Sequence, residues 1–568
     1  MPQFTTPAAI SENATGAPPR PPARVHSESL PVLSCAGASA LERDFFGEMG
    51  GERPEQPFIR RAAQGVADET ALLFAEIRRH PPRRILVAAG TGNNAADALL
   101  AAQELARHGR SAIHVILATP VEKLNPNALE ALQAIRANGG QICEPCERGN
   151  CPGQGVENAK NTAPSGPFDV LLDGLLGHGF HPPAREPFRQ WIRHLNARDD
   201  ILLRVAVDLP SGLGDTRPEP GEVLRADATI ACGFVKAPLL RPENAPLCGR
   251  LRLVPVGFPA NIGTTAAGTP HWRAATPAML LGDSPLARPR PPLEDKRHFG
   301  HLLILGGERN MPGALLMNVR AALRAGCGLV TALCPESVHA AFAAAAPEAM
   351  WLPWPETPEG THALEGEHLL RSALPRATAF LCGSGIGASR ETQVLLQSAV
   401  AHAAARGIPV ILDAGAIQPK IVAAAASSDA ILLPHAGEYA RILPGTPEAS
   451  ATLAQTARAL GATIALKGAP TRIAGPCGQG ELILCGGGPF LARGGSGDIL
   501  AGIVGALFAR GRATSSNPAN PTPRRAPEDI LSEAVAWHAL AADRAARRHG
   551  QDAATVLAIL DELSFPAG

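Results

Sequence analysis

The 568-residue chain has one tyrosine, Tyr439, and only 4% aromatic residues. So sparse a supply excludes the stacked aromatic platforms that hold single-stranded nucleic acids. Net charge is missing too, because 52 Lys and Arg balance 52 Asp and Glu. Binding to nucleic acid or to an anionic membrane through a bulk positive field is thereby excluded. No apolar run approaches the ~18–20 residues of a membrane span. The first residues, MPQFTTPAAISENATGAPPRPPARVH, hold no basic start followed by an apolar stretch, so no signal peptide is expected. A soluble, cytoplasmic protein is the expectation. The 11 cysteines are odd in number and scattered, unlike a secreted disulfide framework. Cys143, Cys146 and Cys151 lack the fourth ligand of a structural zinc site, and their Gly/Pro-rich surroundings read as a surface insertion. Lysine is the scarcest charged residue: Lys123, Lys160, Lys236, Lys296, Lys420 and Lys467 stand against 46 arginines. Where only positive charge is wanted arginine serves, so the remaining lysines mark positions worth locating.

What is present is ample core material, 45% hydrophobic residues, in a chain long enough for roughly two to four domains. Residues 1–30 read as a disordered tail. Short apolar runs then alternate with amphipathic helices. Strands are predicted over 83–90, 111–118, 168–174, 202–210 and 226–234, with helices over 97–109 and 125–140. A proline-rich stretch at 283–297 reads as a connection between domains. A second alternation follows, with strands over 301–307, 328–334, 377–383, 409–415, 430–434 and 463–468. Its helices are predicted over 312–326, 494–511 and 528–550, and 512–527 reads as a surface loop. Both halves are therefore α/β with parallel sheets. The expected division is 31–280 and 298–568, joined through 281–297.

Two groups of residues carry chemistry. In the first half, Gly90-Thr91-Gly92-Asn93-Asn94 ends a strand and opens a helix, where free amides favour an anion. Asp173 and Asp208 end two further strands, and Ser211 follows in a turn. Polar groups at the carboxyl ends of neighbouring parallel strands converge on one crevice. Their oxygens suit a hard cation, although capping and turn formation would also use Asp and Asn. In the second half, Gly494-Gly495-Ser496-Gly497-Asp498 enters a long apolar helix. This forms an amide nest at a positive dipole end, with a carboxylate at its mouth. Such a carboxylate can remove a hydroxyl proton as that oxygen attacks phosphorus. Lys467 ends a strand in LKGAPT, His435 lies in PHAGE, and GSGIG at 383–387 ends another strand.

The segments GTGNNAADALLAAQELARHG, LLDGLLGHGF, VDLPSGL and ADATIACGFVKAPL resemble the epimerase domain of NAD(P)H-hydrate repair enzymes, a Rossmann-like parallel α/β/α sandwich. The resemblance implies interconversion of the R and S forms of the hydrated cofactor. It places Asn93, Asn94, Ala95, Ala96 and Asp97 at the hydrate, together with the loop Gly177, His178, Gly179, Phe180 to Arg185. Asp208 would contact substrate as a catalytic residue, and Asn94, Asp173 and Ser211 would hold K+. Lys236 occupies a strand-end lysine position. Ala95, Ala96 and Ala98 stand where that family has glycine. At a position needing positive φ, each methyl would cost about 1 kcal/mol.

Residues 290–565 resemble the ADP-dependent (S)-NAD(P)H-hydrate dehydratase domain, with a ribokinase-like α/β fold. Here the resemblance implies Ala314, Gly385, His435 and Asp498 at the hydrate. It implies Lys467, Gly468, Ala469, Pro470, Thr471 and Gly497 at the adenine nucleotide, with Mg2+ bridging the phosphates. Asp498 would act as base while the hydrate hydroxyl is phosphorylated by ADP, leaving AMP and phosphate. Ala436 and Ser496 replace the family's Pro and Thr, and Gly415 stands where an aspartate is common. NADHX, NADPHX and ADP are the implied small-molecule partners, and homo-oligomers are implied. Two alternatives stay open at this point. One is a dehydratase whose first half is a structural or oligomerising module. The other is a ribokinase-like kinase of a vitamin precursor.

Overall fold

The computed structural model describes residues 29–145, 164–219, 221–259, 262, 272–282, 284, 290, 294–426, 429–443, 452–477, 480–515 and 524–564. Cys146 and Cys151 lie outside these residues, as do most of the expected tail, most of the proline-rich stretch, and 516–523 of the expected loop.

The first half is built on a seven-stranded sheet. Its spatial order is Gln141–Cys143, Ala112–Leu117, Arg84–Ala89, Phe168–Gly174, Ile201–Val207, Ala228–Cys232 and Arg250–Val254. Every pairing is parallel, which explains the nearly unbroken apolar runs of RILVAA and AIHVIL: both faces are covered. On one face Val66 and Phe74 of the helix Gln56–Ala75 pack with Leu99 and Leu132 of the helices Asn93–Gly109 and Pro126–Ala137. Trp191 and Ile192 of Phe188–Asn196 cover the other face. Chain order reverses between Arg84–Ala89 and Phe168–Gly174. That switch point opens a crevice at the carboxyl ends of the strands.

The second half carries a twelve-stranded sheet. Strands Met350–Trp354, Leu329–Pro335, His301–Leu305, Ala379–Cys382, Val410–Leu412, Ala430–Leu432 and Ala462–Leu466 run parallel in that spatial order. The switch here lies between His301–Leu305 and Ala379–Cys382. Antiparallel strands Thr471–Ala474 and Glu481–Leu484 extend the sheet. Helices Pro312–Arg324, Ser496–Ser515 and Pro527–His549 cover one face, and Arg390–Ala404 and Leu453–Leu460 cover the other.

The remaining three strands of this second sheet come from the first half of the chain. Trp272–Ala275 pairs in parallel with Glu481–Leu484, Leu30–Leu33 runs antiparallel to it, and Val235–Lys236 pairs in parallel beyond. Buried charges add to this join. Arg252 donates to both oxygens of Asp543, at 2.8 and 2.9 Å, and lies 3.7 Å from Glu69. Arg250 contacts both Glu76 and Asp543. The halves are therefore joined by shared hydrogen bonds and a desolvated ion network as well as by chain connection.

Candidate functional sites

At the first switch point the chain turns at Gly90, where no side chain fits: a Cβ there would stand 1.9 Å from the Leu175 carbonyl oxygen. Gly92 caps the helix Asn93–Gly109, which begins four residues before the predicted start. Ala95, Ala96 and Ala98 lie inside this helix with negative φ, so they avoid the backbone strain expected of methyls in a glycine turn. All three are fully buried in the core beside the helix Gln56–Ala75. Their methyls therefore occupy the core side of the helix.

A cavity of about 440 Å3 opens above the switch point. Asn93, Asn94, Asp97, Gly177, His178, Gly179, Phe180 and Asp208 all line it. Ala95 and Ala96 do not, and Arg185 lies exposed outside it. The lining residues not foreseen as site residues include Glu42 and Phe46 from the helix Cys35–Met49, Phe58, Cys232 and Phe258. The three phenylalanines pack against one another with ring centres 5.1–6.0 Å apart, giving the cavity one aromatic wall. The helix bearing Glu42 is fixed at its start by Asp215, whose carboxylate accepts from the Cys35 and Ala36 amides at 2.8 and 2.9 Å.

Asp208 is the most constrained side chain of this site. Its φ of +67° is unusual for a residue with a side chain, a form of stored strain that clusters at functional positions. The carboxylate ion-pairs with the fully buried Lys236, accepts from the Cys232 amide at 3.1 Å, and accepts from His178 Nδ1 at 2.8 Å. Burial opposes ionisation, but Lys236 and His178 outweigh it and hold Asp208 well below the usual carboxylate range. His178 Nε2 lies 3.2 Å from Glu42. Burial would discharge this ring, yet its bonds to Asp208 and Glu42 raise its pKa to about 9.

Beneath these groups, the Ser211 hydroxyl and amide donate to Asp173, and the Leu176 amide donates to Ser211 Oγ at 2.9 Å. Burial lifts Asp173 to about 6 despite these bonds. Asn94 Nδ2 donates to the Leu176 carbonyl at 2.9 Å, while its buried Oδ1 has no protein partner. An orphaned amide oxygen beside a carboxylate and a hydroxyl is a donor set suited to a hard monovalent cation.

The second switch point has the same logic. Gly307 donates to the Ser384 carbonyl and Glu308 to the Gly385 carbonyl, at 2.9 and 2.8 Å. A Cβ on Gly385 would lie 2.8 Å from that of Ala314, so these two expected hydrate residues are neighbours. Lys467 reaches across three segments. Its amide donates to the Pro434 carbonyl at 2.8 Å, its Nζ lies 3.0 Å from Asp413 and 4.0 Å from Glu438, and it would lie 3.4 Å from a Cβ on Gly497. His435 caps the short helix Ala436–Ile442 in a reciprocal pair with Glu438. Asp498 opens the helix Ser496–Ser515, and its carbonyl accepts from Asn318 Nδ2 at 2.7 Å. Burial first, then the Asp413 charge, raises its carboxyl to about 6 against the opposing effect of Lys467. Gly468 and Ala469 are exposed, and Pro470 and Thr471 continue from them into an antiparallel strand.

Asp413, Glu438 and Ser384 belong to this cluster without having been foreseen; Ser384 Oγ donates to Asp413 at 2.9 Å. Asp413 was legible only as a strand-end acid in LDAGA. Gly415 has no room for the family's aspartate in this backbone, since a Cβ would stand 2.3 Å from the Ile386 carbonyl oxygen. Among the described residues no group of three or more His, Cys, Asp or Glu side chains is placed to hold a metal. No helix among the described residues is long and apolar enough to cross a membrane.

Residues 302–564 match the family described as NAD(P)H-hydrate dehydratase, and residues 55–237 match that described as YjeF-related protein N-terminus. A "Bifunctional NAD(P)H-hydrate repair enzyme Nnr" of Gloeobacter violaceus is 33% identical over 83% of this chain and 87% of its own. The protein of the same name from Escherichia coli is 29% identical over 85% of each chain. A solved ADP/ATP-dependent NAD(P)H-hydrate dehydratase from Bacillus subtilis, co-crystallised with ATP/Mg2+, is 27% identical with a TM-score of 0.40, covering 50% of this chain and 94% of that one. Two matched domains in one order, with a relative at this identity along most of the sequence, establish that the chain belongs to the family of bifunctional NAD(P)H-hydrate repair enzymes.

Proposed function

We propose that the chain repairs hydrated NADH and NADPH, epimerising the R and S hydrates at the first site and dehydrating the S hydrate at the second with ADP. The observation that carries this reading is Asp498: a half-desolvated carboxyl beside Lys467, at the glycine-rich start of a long helix, in a chain of this family. The helix start and Lys467 offer positive potential to the transferring phosphate. Asp498 takes the C6 hydroxyl proton as that oxygen accepts the β-phosphoryl group of ADP. Phosphate then leaves C6 as the N1 lone pair forms N1=C6. Loss of the C5 proton restores the dihydronicotinamide, with AMP and phosphate as the other products. Mg2+, when bound with the nucleotide, neutralises charge on its phosphates.

His435, Ala314 and Gly385 would receive the hydrate, and Lys467 to Thr471 with Gly497 would form the nucleotide side. At the first site, Asn94, Asp173 and Ser211 would hold K+, and the cavity residues Asn93, Asp97, Gly177 to Phe180 and Asp208 would receive the hydrate. With the alanine methyls of 95 and 96 directed into the core, the departure from the family's glycines leaves the cavity open. This favours an epimerase over a purely structural first half.

The test is recovery of dihydronicotinamide absorbance from (S)-NADHX with ADP and Mg2+. No recovery with either ADP or ATP would remove the dehydratase reading. Acceleration of (R)-NADHX consumption above its spontaneous epimerisation tests the first site.

A further inference from the structure

Resting on the epimerase reading above, one carboxyl of the first cavity invites a chemical role beyond contact with the hydrate. Asp97, on the second turn of the helix Asn93–Gly109, lines the cavity and is 8% exposed. Its Oδ1 is buried and has no hydrogen-bond partner within the protein. An unpartnered carboxyl oxygen at a cavity wall is costly to bury, and a hydroxyl brought by a ligand would satisfy it.

We propose that Asp97 is the proton donor to the departing C6 hydroxyl in epimerisation, Asp208 the acceptor from the returning water, and His178 with Glu42 the route by which that proton reaches solvent. One route to inverting a hydroxyl at the carbon beside a ring nitrogen breaks the C6–O bond and re-forms it on the other face. Asp97 gives its proton to the hydroxyl, C6–O breaks, water is released, and the N1 lone pair becomes N1=C6. Water then adds to C6, the N1=C6 pair returns to N1, and the proton of the adding oxygen passes to Asp208. A water adding to a cationic carbon is acidic enough for a weakly basic carboxylate to accept that proton. The proton has then moved from Asp97 to Asp208, and both groups must exchange with solvent before the next turnover in the same direction. His178 provides that path, with Nδ1 2.8 Å from Asp208 and Nε2 3.2 Å from Glu42. Glu42 sits at the cavity edge with 24% of its side chain exposed.

The surrounding charges support opposite protonation states for the two carboxyls. Burial first, then the acids Asp208 and Glu42, raise Asp97 well above the ordinary range, against the opposing charges of Lys236 and His178. Asp208 is held ionised by Lys236 and His178. Cys232, the other titratable side chain near both, is driven further toward its neutral thiol by burial and by the acids. A pair of carboxyls pushed apart in this way divides into an acid and a base.

The experiment uses the full chain, its own dehydratase reporting each (S)-hydrate formed from (R)-NADHX. Asp97→Asn should lower epimerase kcat by about 100-fold or more with little change in KM, and leave dehydration of pure (S)-NADHX intact. Asp97→Glu should restore part of the rate. Glu42→Gln should slow turnover and be rescued by small buffers such as imidazole, which a merely structural contact would not allow. Wild-type kcat in Asp97→Asn overturns the proposal. Should Asp97→Asn fail to fold, as judged by loss of dehydratase activity and of its melting transition, the wild-type pH profile decides: a rate that does not fall toward alkaline pH overturns it. A wild-type chain that fails to accelerate (R)-NADHX consumption instead removes the epimerase reading on which the proposal rests.

Discussion

Lys236 and Asp208 form a buried ion pair between the two sheets. Lys236 lies on Val235–Lys236, the last strand of the twelve-stranded sheet, and Asp208 follows Ile201–Val207 of the seven-stranded one. The charge balance of the first cavity therefore depends on a lysine held by the pairing of Val235–Lys236 with Leu30–Leu33. Lys236→Met would leave Asp208 buried without its strongest counter-charge, a loss of about 3–5 kcal/mol. A lowered urea midpoint together with loss of epimerase turnover is expected, with dehydration retained where the variant is folded. An unchanged midpoint would contradict this account of the pair.

The Arg252–Asp543 contact makes the same argument for the join between the halves. Both side chains are nearly fully buried, 7% and 6% exposed. Asp543→Ala strands two arginines and should cost about 3–5 kcal/mol. The Arg252→Met/Asp543→Leu pair should recover much of that loss, because removing both charges removes the desolvation they require. Denaturation of the four members of this cycle checks it; simple additivity would show that the pair is not coupled.

Dehydration should depend on pH through Asp498. A base must be ionised, and burial with the Asp413 charge raises this carboxyl to about 6. The rate constant kcat/KM is therefore expected to fall as pH drops through about 6, and to be level above it until another group titrates. Asp498→Asn should lower kcat by about 100-fold or more while leaving the melting temperature close to that of the parent. A profile level down to acid pH would exclude Asp498 as the base.

Potassium is expected to stabilise the first half through the orphaned Oδ1 of Asn94. At a hundredfold excess over its Kd, an ion bound only by the native state contributes about 2.7 kcal/mol. Thermal melting in KCl and in tetramethylammonium chloride at equal ionic strength measures this. Asn94→Ala should erase the difference; a parent protein that melts identically in both salts holds no such ion.

Much of this arrangement is legible in the sequence because local pattern governs it. The runs RILVAA, FDVLLDG and HLLILGG form strands within two residues of their predicted bounds, since a strand covered on both faces needs only apolar side chains. Glycine turns marked both switch points for a related reason: backbone approaches as close as that of Gly90 to Leu175 admit no side chain. What was hidden depends on distant partners. LPVL and WRAA are too short to stand out as strands, and only their register with each other and with Glu481–Leu484 makes them so. Glu42 was equally invisible, because Asp215, far along the chain, fixes the helix that carries it. The domain boundary at 280 looked clean in composition, whereas the hydrogen bonds of Trp272–Ala275 with Glu481–Leu484 join the two sides of it.

The position of Trp272–Ala275 between Leu30–Leu33 and Glu481–Leu484 also bears on how the chain is made. On the ribosome, the parallel seven-stranded sheet has all its strands once residue 254 has emerged. Leu30–Leu33 and Trp272–Ala275 must then wait, with one edge of their ladder unpaired, until Glu481–Leu484 is synthesised more than 200 residues later. An unpaired edge invites mispairing with other chains. Translation of the second half is thus the interval in which a nascent chain is most open to chaperones and to aggregation, and the two catalytic halves acquire their final alignment only near its end.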